Sequence, residues 1–151
     1  MILTDFLKAG NIIIDCKVAD KWEVIKLLAA NLVKTKSIPK ENEEFIISAL
    51  LERENSMSTG IGNGLAVPHC STDLVENTAI AIAIHHDGLN FNSIDDRSVN
   101  IIIMMIFPKS GGMRHLKLLA EIAKIMSNES LKQRILSSKK PADIISNLSG
   151  I

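Results

Sequence analysis

From residue 20 onward, apolar side chains return at every third or fourth position: Trp22, Ile25, Leu28, Ala29, Leu32 and Val33. That interval is one face of an α-helix. Asp20, followed three residues later by Glu23, has the form of a capping box and marks its start. A second helix is predicted from Pro39, whose fixed φ suits a first turn. Glu41, Glu43 and Glu44 complement the positive end of its dipole. Phe45, Ala49 and Leu50 give it an apolar face, and it should stop near residues 53–55. A third run covers 113–126, after Gly111 and Gly112. Its inward positions are Leu116, Leu119, Ala120, Ala123 and Met126, with Lys117, Glu121 and Lys124 outward. Shorter helical patterns cover 131–136 and 141–148, and an opening turn covers 3–8, ended by Gly10.

Other apolar stretches lack the helical interval. Ile12, Ile13 and Ile14 form a short β-branched run, read as a strand. Residues 79–84 and 99–107 are almost continuously apolar, as strands covered on both faces are. Helices interleaved with buried strands predict a three-layer α/β domain. Residues 57–70 fit neither pattern. Gly60, Gly62 and Gly64 alternate there, and Leu65-Ala66-Val67-Pro68-His69 follows. Pro68 biases Val67 toward an extended conformation. A glycine loop is therefore predicted to feed a short strand, with His69 just past it.

The chain has 151 residues, 46% of them apolar, which fits one folded domain over 1–151. Aromatic residues make up only 3%, so base stacking is a poor fit. The 17 basic and 17 acidic residues cancel, and no basic run is sustained, which argues against nucleic-acid binding. Cys16 and Cys70 read as reduced thiols. The first ten residues are too short and polar for a signal peptide. The longest apolar run, 101–107, is far short of a membrane span. A cytoplasmic protein with no membrane insertion is expected.

Few residues offer chemistry. Glycine-rich loops present backbone N–H groups to anions, but a tight turn between helix and strand has the same composition. The loop is not a Walker loop, lacking Lys-Ser or Lys-Thr, nor a dinucleotide fingerprint, since it runs into Pro68. His69 is a nucleophile that a phosphoryl group would suit, or a loop histidine held by backbone or water. His115 falls in the first turn of the third long helix, where anions are favoured. It could donate to a phosphate oxygen. Arg53, at the end of the second helix, matches phosphate geometry but would also be welcome there without a ligand. His85 and His86 read as surface histidines at a strand end, pointing to opposite faces. No metal-spaced cluster or Ser-His-Asp arrangement stands out.

Taken together, LLERENSMSTGIGNGLAVPH resembles the signature of enzyme IIA domains of the fructose/mannitol type, shared by the nitrogen-regulatory enzyme IIA proteins. IDDRSVNIIIMMIFP and RHLKLLAEIAKIM resemble the family as well, so the likeness spans nearly the whole chain. The resemblance implies a mixed sheet of about five strands with helices on both faces. It implies that His69 is the phosphorylated nucleophile, that His115 stabilises the phosphoryl group and that Arg53 supplies charge beside it. Ser58, Thr59, Gly60, Ile61, Gly62, Asn63 and Gly64 would form a phosphate-binding loop. No metal or organic cofactor is expected. The implied donor is an HPr-like phosphocarrier, and the acceptor an enzyme IIB cysteine. A chain without a fused membrane or IIB segment also fits a regulator that binds target proteins according to its phosphorylation. A small-ligand or metal-binding domain is the remaining alternative. Ile61 or Leu65 is expected to touch the partner, and Cys70 departs from the small residue common after the histidine.

Overall fold

The core of the fold is an antiparallel pair of long strands. In the computed structural model, which describes residues 3–149, these are β5 (Ala79–Leu89) and β6 (Val99–Pro108). Before them in the chain come β1 (Ile12–Ile13), α1 (Lys21–Lys34), α2 (Glu43–Ser56), β2 (Gly60–Gly62), β3 (Leu65–Ala66) and β4 (His69–Thr72). After them come α3 (Met113–Met126), α4 (Glu129–Leu136) and α5 (Pro141–Ser149). The domain expected over 1–151 is described here between its terminal residues 1–2 and 150–151, which lie outside.

The sheet is mixed. Its order is β1-β5-β6-β3-β2, and β4 also pairs with β6. β1 runs parallel to β5, while β3 and β4 both run parallel to β6. Among the described residues the sheet has six strands, close to the five or so expected. The near-continuous apolar runs resolve into two faces because side chains alternate along a strand. Ala81 and Ala83 of β5, with Ile102, Met104 and Ile106 of β6, pack against Ile25, Leu28, Leu32, Ile46 and Leu50 of α1 and α2. Ile80, Ile82, Ile103, Met105 and Phe107 pack against Leu118, Ile122, Leu131 and Ile144 of α3–α5. That is the predicted three-layer arrangement.

Local signals held at α1. The Asp20 side chain accepts the Glu23 backbone N–H at 2.9 Å. Glu23 reaches back to the Ala19 N–H at 2.8 Å, one residue before the usual capping-box target. The opening turn is a 3₁₀ helix over Leu3–Phe6.

Two apolar faces are rotated from those predicted. On α2 the buried residues are Ile46, Leu50 and Glu54, whereas Phe45 is 71% exposed. On α3 they are Leu118, Ile122, Ile125 and Met126, and Leu116 is exposed. Both stripes of α3 satisfy the helical interval. The one carrying branched Ile122 and Ile125 buries more apolar surface than the one carrying Ala120 and Ala123, so it takes the core. Strand β5 also continues past residue 84, and His85 is buried rather than at the surface, its Nε2 donating to the Val18 carbonyl at 2.8 Å.

Candidate functional site

His69 opens β4, directly after Pro68. The Pro68 carbonyl accepts the Met105 N–H at 2.9 Å, and His69 pairs with Met105 in the parallel ladder. The imidazole is half-buried. Its Nδ1 lies 2.7 Å from the Val67 carbonyl oxygen. A carbonyl only accepts, so Nδ1 carries the proton and Nε2 keeps its lone pair.

Phe107 touches both histidines of the site. Its ring meets His69 edge-on, with centroids 6.3 Å apart, and stacks on His115 at 4.1 Å and 19°. His115 is in the first turn of α3, as predicted. Its Nε2 is buried without a hydrogen-bond partner among the described residues. It lies against Gly111, where a Cβ would overlap the ring. Arg53 is in the last turn of α2, and its Nη1 donates to the Met57 carbonyl at 2.8 Å. That bond uses one of five guanidinium donors.

Burial is the strongest influence on His69 and holds its imidazole below the usual value of 6.5. The Val67 bond and Glu54 oppose this, while Arg53 and His115 reinforce it. The ring is therefore expected to titrate below pH 6.5 in a ¹H–¹⁵N correlation series. The folded chain binds this proton less readily than the unfolded chain does. The associated stability is complete above 6.5 and is lost as pH falls from there toward the folded value. A titration midpoint at or above 6.5 would contradict this.

The glycine stretch takes the form of the tight turn that its composition also allowed. It is a hairpin of β2 and β3, turned at Asn63 and Gly64, both with positive φ. An Asn-Gly pair is the strongest short hairpin signal, and it was legible in the sequence. Leu65 pairs with Ile101, and His69 with Met105. Four residues along β6 put the Gly62-Asn63-Gly64 tip roughly 13 Å from the histidine. Nearer His69, the N–H groups are occupied. The Thr59 N–H donates to Glu54 and the Gly60 N–H to the Ser58 hydroxyl, which itself donates to the Phe91 carbonyl. The tip is tied instead to Asp95, which accepts the Asn63 N–H, and to Lys132, which donates to the Asn63 carbonyl. The N–H groups of Thr59, Gly60 and Asn63 thus already have partners within the protein. Ile61 is 39% exposed and Leu65 only 1%, so of the expected partner contacts Ile61 alone faces outward.

Cys70 points to the α1–α2 side of the sheet, away from its neighbour His69. Burial pushes its thiol up to about 11. Alkylation needs the thiolate. Iodoacetamide at pH 8 should therefore label Cys70 in the folded chain about a hundredfold more slowly than an ordinary exposed thiol. A mass-spectrometric time course showing equal labelling before and after urea would exclude that protection.

Residues that the sequence left unmarked also matter. Glu54 is buried and paired with Lys21, and Phe107 carries the stacked His115. Among the described residues, no group of His, Cys, Asp or Glu could hold a metal, and no helix is long and apolar enough to cross a membrane. Clefts of 790, 550 and 450 Å³ lie elsewhere and do not include His69.

Residues 5–150 match the family described as "Phosphoenolpyruvate-dependent sugar phosphotransferase system, EIIA 2". The chain is 30% identical, over 99 residues, to a PTS system fructose-specific EIIA component of Haloferax volcanii. The match covers 66% of this chain and 64% of that relative's length. It is 28% identical, over 148 residues, to a nitrogen regulatory protein of Bradyrhizobium diazoefficiens, covering 98% of this chain and 95% of the other. Its fold is shared, at a TM-score of 0.81 and 24% identity, with Escherichia coli enzyme IIA for mannitol, solved in complex with phosphorylated IIB. That alignment covers 96% of this chain and 98% of the other.

Proposed function

Because the chain belongs to the EIIA 2 family of the phosphoenolpyruvate-dependent sugar phosphotransferase system, we propose that it is a phosphoryl carrier working through His69. It accepts the phosphoryl group from an HPr-like phosphocarrier protein and passes it to a cysteine of an enzyme IIB domain. The observation that carries this reading is the fixed tautomer of His69. With Nδ1 committed to the Val67 carbonyl, Nε2 is left as an unprotonated, partly accessible nucleophile.

Phosphoryl transfer asks for position and charge more than for covalent help. Nε2 attacks phosphorus in line with the departing donor nitrogen. The Arg53 guanidinium supplies charge at the rim, and His115 receives a phosphoryl oxygen. That oxygen gives the His115 ring a partner that the protein itself does not provide. An imidazole below its usual value stays neutral, and so nucleophilic, at ordinary pH. A half-exposed histidine outside the clefts suits a group handed between proteins. Exposed Met57, Met113 and Leu116 adjoin Arg53 and His115 in the chain and offer the apolar rim that a protein donor would cover.

The test is incubation with phosphoenolpyruvate, enzyme I and HPr, followed by intact-mass analysis and then addition of an IIB domain. Uptake by the chain and loss to the IIB cysteine are the expected results; no uptake from any phosphocarrier would refute the proposal. A second reading rests on the nitrogen regulatory relative, matched over almost the full length of both chains. Under it the same phosphohistidine governs binding to a regulatory target. Slow transfer to every IIB, with target binding that depends on phosphorylation, would favour that reading.

A further inference from the structure

We infer that the buried Lys21–Glu54 ion pair is a positioning device for His69, acting through Thr59 and the Val67 carbonyl. A continuous path of polar contacts joins them. Lys21 Nζ lies 3.3 Å from Glu54 Oε1. The Thr59 N–H donates to that carboxylate at 3.1 Å, and the Thr59 hydroxyl donates to its other oxygen. The Thr59 carbonyl accepts the Val67 N–H at 3.0 Å. The Val67 carbonyl in turn accepts the His69 Nδ1–H at 2.7 Å. The path crosses from the start of α1, through the end of α2 and the base of the hairpin, to the reacting ring.

Stability alone does not account for the pair. The Lys21 side chain is 10% exposed and that of Glu54 0%. Two charges withdrawn so far from water are expensive, and apolar residues of similar volume are often as stabilising or more so. What the pair does supply is direction. Lys21 is fixed further by the Trp22 and Phe91 rings, 4.9 and 5.9 Å from its Nζ. Both carboxylate oxygens are fixed by Thr59. The hairpin base, and with it the Val67 carbonyl, has one place to be. That carbonyl selects the tautomer and aims Nε2.

The pair also suits the charge that develops. The donor N–P bond breaks with its electron pair staying on the donor nitrogen, and the Nε2 lone pair makes the new bond to phosphorus. Nδ1 keeps its proton, so the ring becomes formally cationic. The Val67 carbonyl and the Glu54 carboxylate favour that cation, while Arg53 and His115 favour the phosphoryl oxygens. Consecutive residues of α2, Arg53 and Glu54, thus act on opposite ends of the phosphohistidine.

The rate prediction rests on His69 being the phosphoryl acceptor; the tautomer prediction does not. The test uses the double variant K21M/E54L, T59V as a smaller change, and T59S as the conservative control. Two-bond ¹H–¹⁵N spectra of the unphosphorylated chain read the His69 tautomer and titration, and single-turnover phosphorylation reads the rate. In K21M/E54L the melting temperature should hold or rise, the ring should mix tautomers and the titration should move further down. Transfer should slow about tenfold to a hundredfold, with the donor KM unchanged. T59V should shift in the same sense, and T59S should keep the wild-type rate and tautomer. Wild-type tautomer and titration in folded K21M/E54L and in T59V would overturn the proposal. Should the double variant fail to fold, T59V decides alone. Should the wild-type chain take up no phosphoryl group, the carrier reading fails and the spectra still decide the relay.

Discussion

His69→Ala is expected to abolish phosphoryl uptake, a loss beyond about 10⁴-fold, the scale seen when a nucleophile is removed from its site. Folding should survive. The substitution leaves the Val67 carbonyl without its side-chain partner, a cost of about 1 kcal/mol at a half-buried position. Intact-mass analysis after incubation with phosphoenolpyruvate, enzyme I and HPr reads the result, with circular dichroism as the check on fold. In the unaltered chain the group should reside on Nε2, since Nδ1 is committed to Val67. NMR of the phosphorylated ring distinguishes the two nitrogens. Continued uptake by the alanine variant, or a group found on Nδ1, would contradict the proposed chemistry.

Gly111→Ala should produce the second largest effect without touching either histidine. A Cβ at residue 111 would overlap the His115 imidazole. The ring would have to leave its 4.1 Å stack on Phe107, or the backbone before α3 would have to shift. Overpacking of this kind costs about 1–3 kcal/mol. Misplacing a group that meets the phosphoryl oxygen should slow transfer about tenfold to a hundredfold. Gly112→Ala is the control. Nothing lies within 4 Å of a Cβ there, so its effect comes from the backbone alone, at φ 53°. Single-turnover rates for the two variants, set beside His115→Gln, separate ring placement from backbone strain. Gly111→Ala transferring at the wild-type rate would remove the stacked His115 from the mechanism.

Much of this architecture is written locally. The Asp20 cap, the interval of α1 and the continuous runs of β5 and β6 depend on neighbours in sequence, and each begins where the pattern puts it, though β5 runs on past residue 84. His69 and His115 were singled out because a Pro-His pair after glycines and a histidine in a first turn are local features too. What the pattern did not determine is decided across the fold. Which stripe of α3 turns inward depends on the sheet beneath it. That Phe45 is exposed while Glu54 is buried follows from how α2 lies on that sheet. The role of Glu54 was hidden within Glu52-Arg53-Glu54, a run that reads as a solvated helix end until Lys21 is brought to it from 33 positions away. The glycine stretch was legible as a tight turn from its composition, and its Asn-Gly pair is the local signal for the hairpin found there.

The sheet's outer strands are short: β1 has two residues, β2 three and β4 four. Long bare edges template the joining of one sheet to another. At these outer positions the fold has little edge of that kind to offer, which works against the cross-chain strand pairing that leads to aggregation.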